Sequence, residues 1–285
     1  MLARKIKGLF RLIRFELPFS AGVCVVMGQL LALGDFAPAF LTVSGFLSIF
    51  FVSASILVSN DYFDVETDRI NAPDRPIPSG VVTSSETLLL AIVLLILGLV
   101  LGYLINPVAF LCTAGLTVIG LLYNRKFKKS GLPGNLMVSF SVGMTFIYGG
   151  VSVGSFYNRM AWFFGVIAAL IDLGEEIAAD AMDAKGDALI NSKSLAIRHG
   201  KRTALRTSGG IFLLAVLLTI VPFILGWFSA IYAVPVLMMD AAILYPLFRL
   251  LKSEGEEGRK YIRWIYLGAT SGLLVFILMR YHVTG

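Results

Sequence analysis

Apolar residues run along this chain in long blocks separated by short polar loops. Nine blocks reach membrane-spanning length, at residues 17–34, 37–59, 86–105, 107–123, 133–153, 159–179, 204–226, 228–249 and 261–281. A bilayer core takes about 20 residues of helix, and backbone in lipid must satisfy its own hydrogen bonds, so each block predicts a helix. The sixth block is the least apolar, because Asp172, Glu175 and Glu176 fall in its last turns. It is kept as a span because acids inside a membrane segment face a cavity and mark function. Ahead of the first block, Arg4, Lys5, Lys7, Arg11 and Arg14 interleave with Leu2, Ile6, Leu9, Phe10 and Ile13. At helical spacing this predicts an amphipathic helix over 1–16, lying in the membrane interface. A signal peptide fits less well, since no small-residue cleavage site follows. The expected fold class is all-α: a polytopic membrane protein with nine transmembrane helices, forming a single domain over 1–285.

Composition agrees. The chain is 57% hydrophobic and 15% charged, with mean hydropathy +0.83, which excludes an ordinary soluble domain. Cys24 and Cys112 lie inside apolar blocks without metal-type spacing and read as small apolar fillers. Two histidines, His199 and His282, do not make a zinc site. The net charge of +6 is no signal for nucleic acid, because the basic residues gather in the loops between spans. With a cytoplasmic N-terminus, 22 of the 24 Lys and Arg fall inside, and only Arg159 and Arg280 fall outside. That skew predicts a cell-membrane protein with its N-terminus in the cytoplasm and its C-terminus outside. Cytoplasmic basic loops also suit contact with anionic membrane lipids.

Charge is scarce, so its placement matters. Twelve of the 18 acidic residues form two groups, Asp61 to Glu86 after span two and Asp172 to Asp187 after span six. Four spans separate them, so both lie on the cytoplasmic side. In the first group Asn60, Asp64 and Asp68 stand at successive i,i+4 positions, and Asp61 joins that face through Asp64. In the second, Glu176, Asp180, Asp183 and Asp187 make one stripe. Carboxylates crowded on one face repel unless a cation lies between them. Hard oxygen ligands suit Mg²⁺, which takes one or two carboxylates and keeps room for phosphate oxygens. A diphosphate bridged by Mg²⁺ would neutralise both groups and become a better leaving group.

Phosphate also needs cationic partners. Arg75 stands in a loop stiffened by Pro73, Pro76 and Pro78, which positions a side chain at low entropic cost. The run Tyr123-Asn124-Arg125-Lys126-Phe127-Lys128-Lys129 supplies further candidates, as do Lys193 and Arg198. Lys126, Lys129, Lys201 and Arg202 read better as charges that set topology. Phe46, Phe50, Phe51, Phe140, Phe146, Tyr148, Phe163 and Phe164 are candidates to line an apolar tunnel.

The pattern Asn60-Asp61-x-x-Asp64-x-x-x-Asp68, with Arg75-Pro76-x-Pro78-x-Gly80 and a later Asp183-x-x-x-Asp187 followed by Lys193-Ser194, resembles the UbiA superfamily of intramembrane prenyltransferases. The likeness covers nearly the whole chain. It implies nine helices around a central cavity with cytoplasmic cap loops, and Mg²⁺-dependent use of an isoprenyl diphosphate. It implies one Mg²⁺ on Asn60, Asp64 and Asp68 and another on Asp183 and Asp187, with Asp61 and Asp180 as ligands or supports. Arg75, Tyr123, Arg125, Lys128 and Lys193 would bind substrate. Within the family, Glu176-Ile-x-x-Asp180-x-x-Asp183-x-x-Gly186-Asp187 and Lys129-Ser-Gly131-Leu132-x-Gly134-Asn135 are most similar to archaeal digeranylgeranylglyceryl phosphate synthases. The acceptor this implies is the hydroxyl of a lipid phosphate, geranylgeranylglyceryl phosphate. An aromatic quinone precursor is the alternative acceptor, and a cation-coupled transporter the alternative of another class. The family's tyrosine-to-lysine spacing after span four is not met: Phe127 stands where a lysine is expected. Arg125, Lys126 and Lys128 all remain candidates for the phosphate.

Overall fold

The computed structural model describes residues 2–189, 192–253 and 257–284, and for helical residues 2, 71, 185–189, 283 and 284 it describes the backbone alone. Among the described residues every regular element is helical. In chain order these are α1 (Leu2–Ile13), α2 (Glu16–Leu33), α3 (Ala39–Phe63), α4 (Val65–Asn71), α5 (Ser84–Ile105), α6 (Pro107–Leu122) and α7 (Leu132–Ser152). There follow α8 (Arg159–Leu189), α9 (Leu195–His199), α10 (Lys201–Leu218), α11 (Val221–Ile224), α12 (Ala233–Leu250) and α13 (Glu257–Thr284). A π turn at Tyr123–Phe127 and a 3₁₀ turn at Ala230–Tyr232 complete the set.

Each expected span corresponds to a long helix. Among the described residues eight helical stretches are long and apolar enough to cross a membrane. The ninth, α8, has 31 residues, but Asp172, Glu175 and Glu176 make it too charged to meet the same standard. Two boundaries moved in a useful way. The expected second span stopped at 59, but α3 continues to Phe63, so Asn60 and Asp61 ride on its last turn. The expected sixth span stopped at 179, but α8 continues to Leu189 and carries the second acidic stripe.

Local chemistry explains where the helices start. Thr83 and Glu86 form a capping box on α5: Glu86 N–H donates to Thr83 Oγ1 at 3.2 Å, and Thr83 N–H to Glu86 Oε2 at 3.0 Å. Asn106 caps α6 by accepting from Ala109 N–H at 2.8 Å, with Pro107 at the first helical position.

The chain divides into two compact units, residues 1–126 with 145–158, and residues 127–144 with 159–285. In the first, Leu12, Ala54, Val58, Ile77, Val82, Ala91 and Leu94 form the core, and Leu9 and Ile13 pack on it. Helix α1 therefore has two apolar sides. Leu9, Leu12 and Ile13 join the protein core, while Ile6 and Phe10 stay exposed and remain for the membrane interface. Helices α2 and α7 approach very closely: a Cβ on Gly28 would come within 2.1 Å of Phe146 O, and one on Gly149 within 2.3 Å of Val25 O. Small residues replace hydrophobic driving force as the basis of such contacts in lipid. Tyr148 is fully buried and donates to Ser48 Oγ at 2.9 Å. It is a core residue, which removes it from the expected tunnel wall.

In the second unit, Ile177, Ala178 and Ala181 of α8 pack with Phe212, Ile243, Leu250 and Ile265. The buried Asp240 of α12 accepts from Thr219 Oγ1 at 2.9 Å.

Candidate active site

The first acidic face lies where α3 meets α4. Aspartate is a poor helix-interior residue, and the regular helix pauses at Asp64 (φ −90°, ψ 1°). The hydrogen-bond ladder nevertheless continues through the joint. Asp64 N–H donates to Asn60 O at 3.0 Å, and Asp68 N–H to Asp64 O at 2.8 Å. Asn60, Asp64 and Asp68 thus remain one turn apart, as their spacing predicts, although two helices carry them.

The side chains of Asn60, Asp61 and Asp68 on this face are each held by hydrogen bonds. Asn60 Nδ2 donates to Asn124 Oδ1 at 2.9 Å, and Asn124 Nδ2 donates to Ile56 O at 2.9 Å. With its nitrogen committed, any ligand role of Asn60 belongs to its oxygen. Asp61 is 4% exposed, and a buried carboxylate requires a counter-charge. It has two. Arg14 Nη2 reaches Asp61 Oδ1 at 2.6 Å, and Arg75 Nη1 reaches the same oxygen at 3.1 Å. Arg75 Nη1 also donates to Asp68 Oδ2 at 2.6 Å. The expected phosphate-gripping Arg75 is therefore seated on two aspartates, one of them an expected metal ligand.

The second acidic face lies on α8. Asn135, buried on α7, donates from Nδ2 to Asp180 Oδ2 at 2.9 Å. Four residues along, Ser139 Oγ donates to Asp172 Oδ2 at 2.9 Å. Asp172 stands one turn before Glu176, so the stripe extends deeper into α8 than the sequence motif indicates. Asp183 is ion-paired with Arg259. The Asp187 side chain lies outside the described residues.

The candidate lysines are brought near each other by backbone. Lys193 N–H donates to Lys129 O at 3.0 Å, tying the loop after the π turn to the segment that leads into α9. Gly131 sits at this crossing with φ +73°, and a Cβ there would lie 2.1 Å from Lys193 O. Glycine is required twice over, by conformation and by space. Lys128 is half-buried and close enough to act on the charge of Glu176, whereas Arg125 and Lys126 are exposed. A π turn closes on the fifth residue rather than the fourth and so takes up one extra residue. The run Tyr123–Phe127 forms such a turn, so a residue count at α spacing does not hold across it.

Among the described residues no three His, Cys, Asp or Glu side chains form a ready metal cluster. The donor set of the first face is two carboxylates and an amide oxygen on successive turns. That fits Mg²⁺, which binds through one or two carboxylates and completes its shell with water and phosphate. It does not fit a metal that wants a closed protein cage.

Sequence reasoning missed Arg14, Asn124, Asn135 and Arg259 as partners of site residues. One signal pointed to Arg14: it ends the basic segment where the first span begins, on the same membrane side as the end of the second.

Comparison with known proteins decides the family. A model of the UbiA prenyltransferase family matches residues 21–280. The chain belongs to the UbiA prenyltransferase family. Digeranylgeranylglyceryl phosphate synthases from Methanocaldococcus jannaschii and Archaeoglobus fulgidus are each 32% identical to it, with 96% of both chains covered. A solved structure concerning digeranylgeranylglyceryl phosphate synthase in membranes aligns with a TM-score of 0.74 at 32% identity, over 97% of this chain and 98% of that one. A UbiA homolog from Aeropyrum pernix shares the fold, with a TM-score of 0.83 at 17% identity over 93% and 98% of the two chains. Another from Archaeoglobus fulgidus, bound to GPP and Mg²⁺, aligns with a TM-score of 0.74 at 19% identity over 95% and 99%. As a UbiA prenyltransferase this chain is a multi-pass membrane enzyme. Its intramembrane acids thus belong to a transferase, and the transporter alternative falls away.

Proposed function

We propose that this UbiA prenyltransferase moves a geranylgeranyl group from geranylgeranyl diphosphate to the hydroxyl of geranylgeranylglyceryl phosphate, making an archaeal-type diether lipid. The observation that supports the acceptor is the likeness to digeranylgeranylglyceryl phosphate synthases, which runs over 96% of both chains rather than over the acidic motifs alone. The basic loops support a cytoplasmic N-terminus and a cytoplasmic reaction side.

In this reading the reaction draws on both acidic faces. Asn60, Asp64 and Asp68 hold one Mg²⁺, and Asp183 and Asp187 hold another. Bound Mg²⁺ supplies Lewis acidity to the diphosphate oxygens. The protein's own part is positional. Asn124 fixes the Asn60 amide, and Asn135 fixes Asp180. Arg75, Lys128 and Lys193 stabilise the departing diphosphate as the C1–oxygen bond breaks. The acceptor oxygen bonds to C1 and gives up its proton to an acidic side chain of the stripe, such as Asp180 or Glu176. Apolar helix surfaces keep water from the allylic cation that develops at C1.

The test is prenyl transfer by the purified chain from radiolabelled geranylgeranyl diphosphate. Geranylgeranylglyceryl phosphate, 4-hydroxybenzoate and a naphthoate-type acceptor are offered together. The expected product is the diether phosphate, formed with Mg²⁺ and lost with EDTA. Prenylated aromatic product in its place would overturn the acceptor assignment. Transfer that survives both EDTA and Asp64→Asn would overturn the metal mechanism.

A further inference from the structure

The first unit contains a chain of charges, Arg14–Asp61–Arg75–Asp68, in which Arg14 lies outside the motif that holds the other three. Two guanidinium groups converge on one oxygen of Asp61, and one of them also serves Asp68. The four formal charges cancel: two arginines against two aspartates. Arg14 stands apart from the rest. It is the one described non-glycine residue with positive φ, at 49°. The left-handed region costs an ordinary L-residue about 1 kcal/mol or more. Such a conformation persists where its surroundings hold it, and here the hold is the bond to Asp61. Between α1 and α2, the turn at Arg14 is thus shaped to deliver a guanidinium to a buried carboxylate of α3.

We propose that Arg14 is a positioning residue that neutralises Asp61 so that Arg75 can leave the aspartates and meet an incoming diphosphate. This rests on the reading that the first acidic face takes an isoprenyl diphosphate. With Arg14 in place, Asp61 keeps a counter-charge after Arg75 moves. Without it, Arg75 is the remaining partner of a carboxylate that is 4% exposed, and leaving such a group unpaired is costly. The net charge of the four-residue chain also falls to −1, which opposes an anion. Arg14 acts in this way without touching the substrate.

The claim makes a charge-rescue prediction. Arg14→Ala weakens binding of geranylgeranyl diphosphate with Mg²⁺, measured by titration calorimetry on the full chain in detergent, by about tenfold, within the usual range of couplings between contacting residues. Arg14→Gln, which keeps a polar N–H donor on a shorter side chain but not the charge, behaves the same and serves if the alanine variant does not fold. Adding Asp61→Asn to either one restores net neutrality and returns the affinity to that of Asp61→Asn alone. Arg14→Lys retains most of the wild-type affinity. A purely structural role would show as a lowered unfolding temperature in the single variants without recovery of affinity in the double ones. A wild-type chain that binds no geranylgeranyl diphosphate overturns the functional reading and this inference with it. A wild-type chain that binds, with Arg14→Ala/Asp61→Asn no better than Arg14→Ala, overturns the inference alone and makes Arg14 a direct contact of the phosphate.

Discussion

Asn135 holds Asp180 through a hydrogen bond of 2.9 Å from Nδ2 to Oδ2. The amide is buried and the carboxylate half-buried, so the amide has no water as a ready substitute. Removing a buried donor from a carboxylate costs about 1–3 kcal/mol. Asn135→Ala is therefore expected to lower the unfolding temperature and to slow prenyl transfer about tenfold, in line with changes to groups that orient ligands. Asn135→Asp sets like charge against Asp180 and should be worse than alanine in both thermal unfolding and rate assays.

Gly131→Ala puts a methyl group 2.1 Å from Lys193 O on a residue with φ +73°. The crossing of the two lysine-bearing segments should spring apart. Strain of this kind costs about 1–3 kcal/mol before any clash is counted. The expected result is a less stable chain, with loss of the protection of the Lys193 amide in hydrogen exchange. Unchanged protection at Lys193 would show that the crossing does not depend on glycine.

Gly28→Leu and Gly149→Leu each drive a side chain into backbone of the facing helix, where a bare Cβ already falls within 2.1 Å of Phe146 O or 2.3 Å of Val25 O. Neither variant should be recovered as folded, monodisperse protein in detergent. Gly115→Ala is the control, because nothing lies within 4 Å of a Cβ at that position. It should behave as wild type in size-exclusion chromatography and thermal unfolding.

Asp64→Asn and Asp183→Asn probe the two acidic faces separately. If both take part in the reaction, each variant loses more transfer activity than the roughly 10–100-fold that changes around a metal ligand produce. Raised Mg²⁺ should restore little, since the donor itself is gone. The Asp183 side chain is well exposed and paired with Arg259. Arg259→Ala should therefore preserve folding, and a rate assay reads whether that pair competes with the reaction.

Much of this was legible in the chain. Apolar blocks between basic loops give the long helices because lipid leaves the backbone no other solution. The i,i+4 spacing of Asn60, Asp64 and Asp68 survived a break in regular helix because the ladder bonds at Asp64 and Asp68 carried on through it. What could not be read is partnership across sequence distance. Nothing local to Arg14 says that it meets Asp61, 47 residues away, or that Asn135 meets Asp180, 45 residues away. Those pairs depend on how helices pack, which periodicity does not encode. The extent of α8 was also hidden, because its acids end the apolar signal while the helix continues.

The π turn at Tyr123–Phe127 hides a shift of register inside a helix. A turn that closes on the fifth residue takes up one more residue than an α turn, with no loop to show it. A residue count at ordinary α spacing therefore misjudges which side chains of this turn share a face, and sequence spacing alone gives no sign of it.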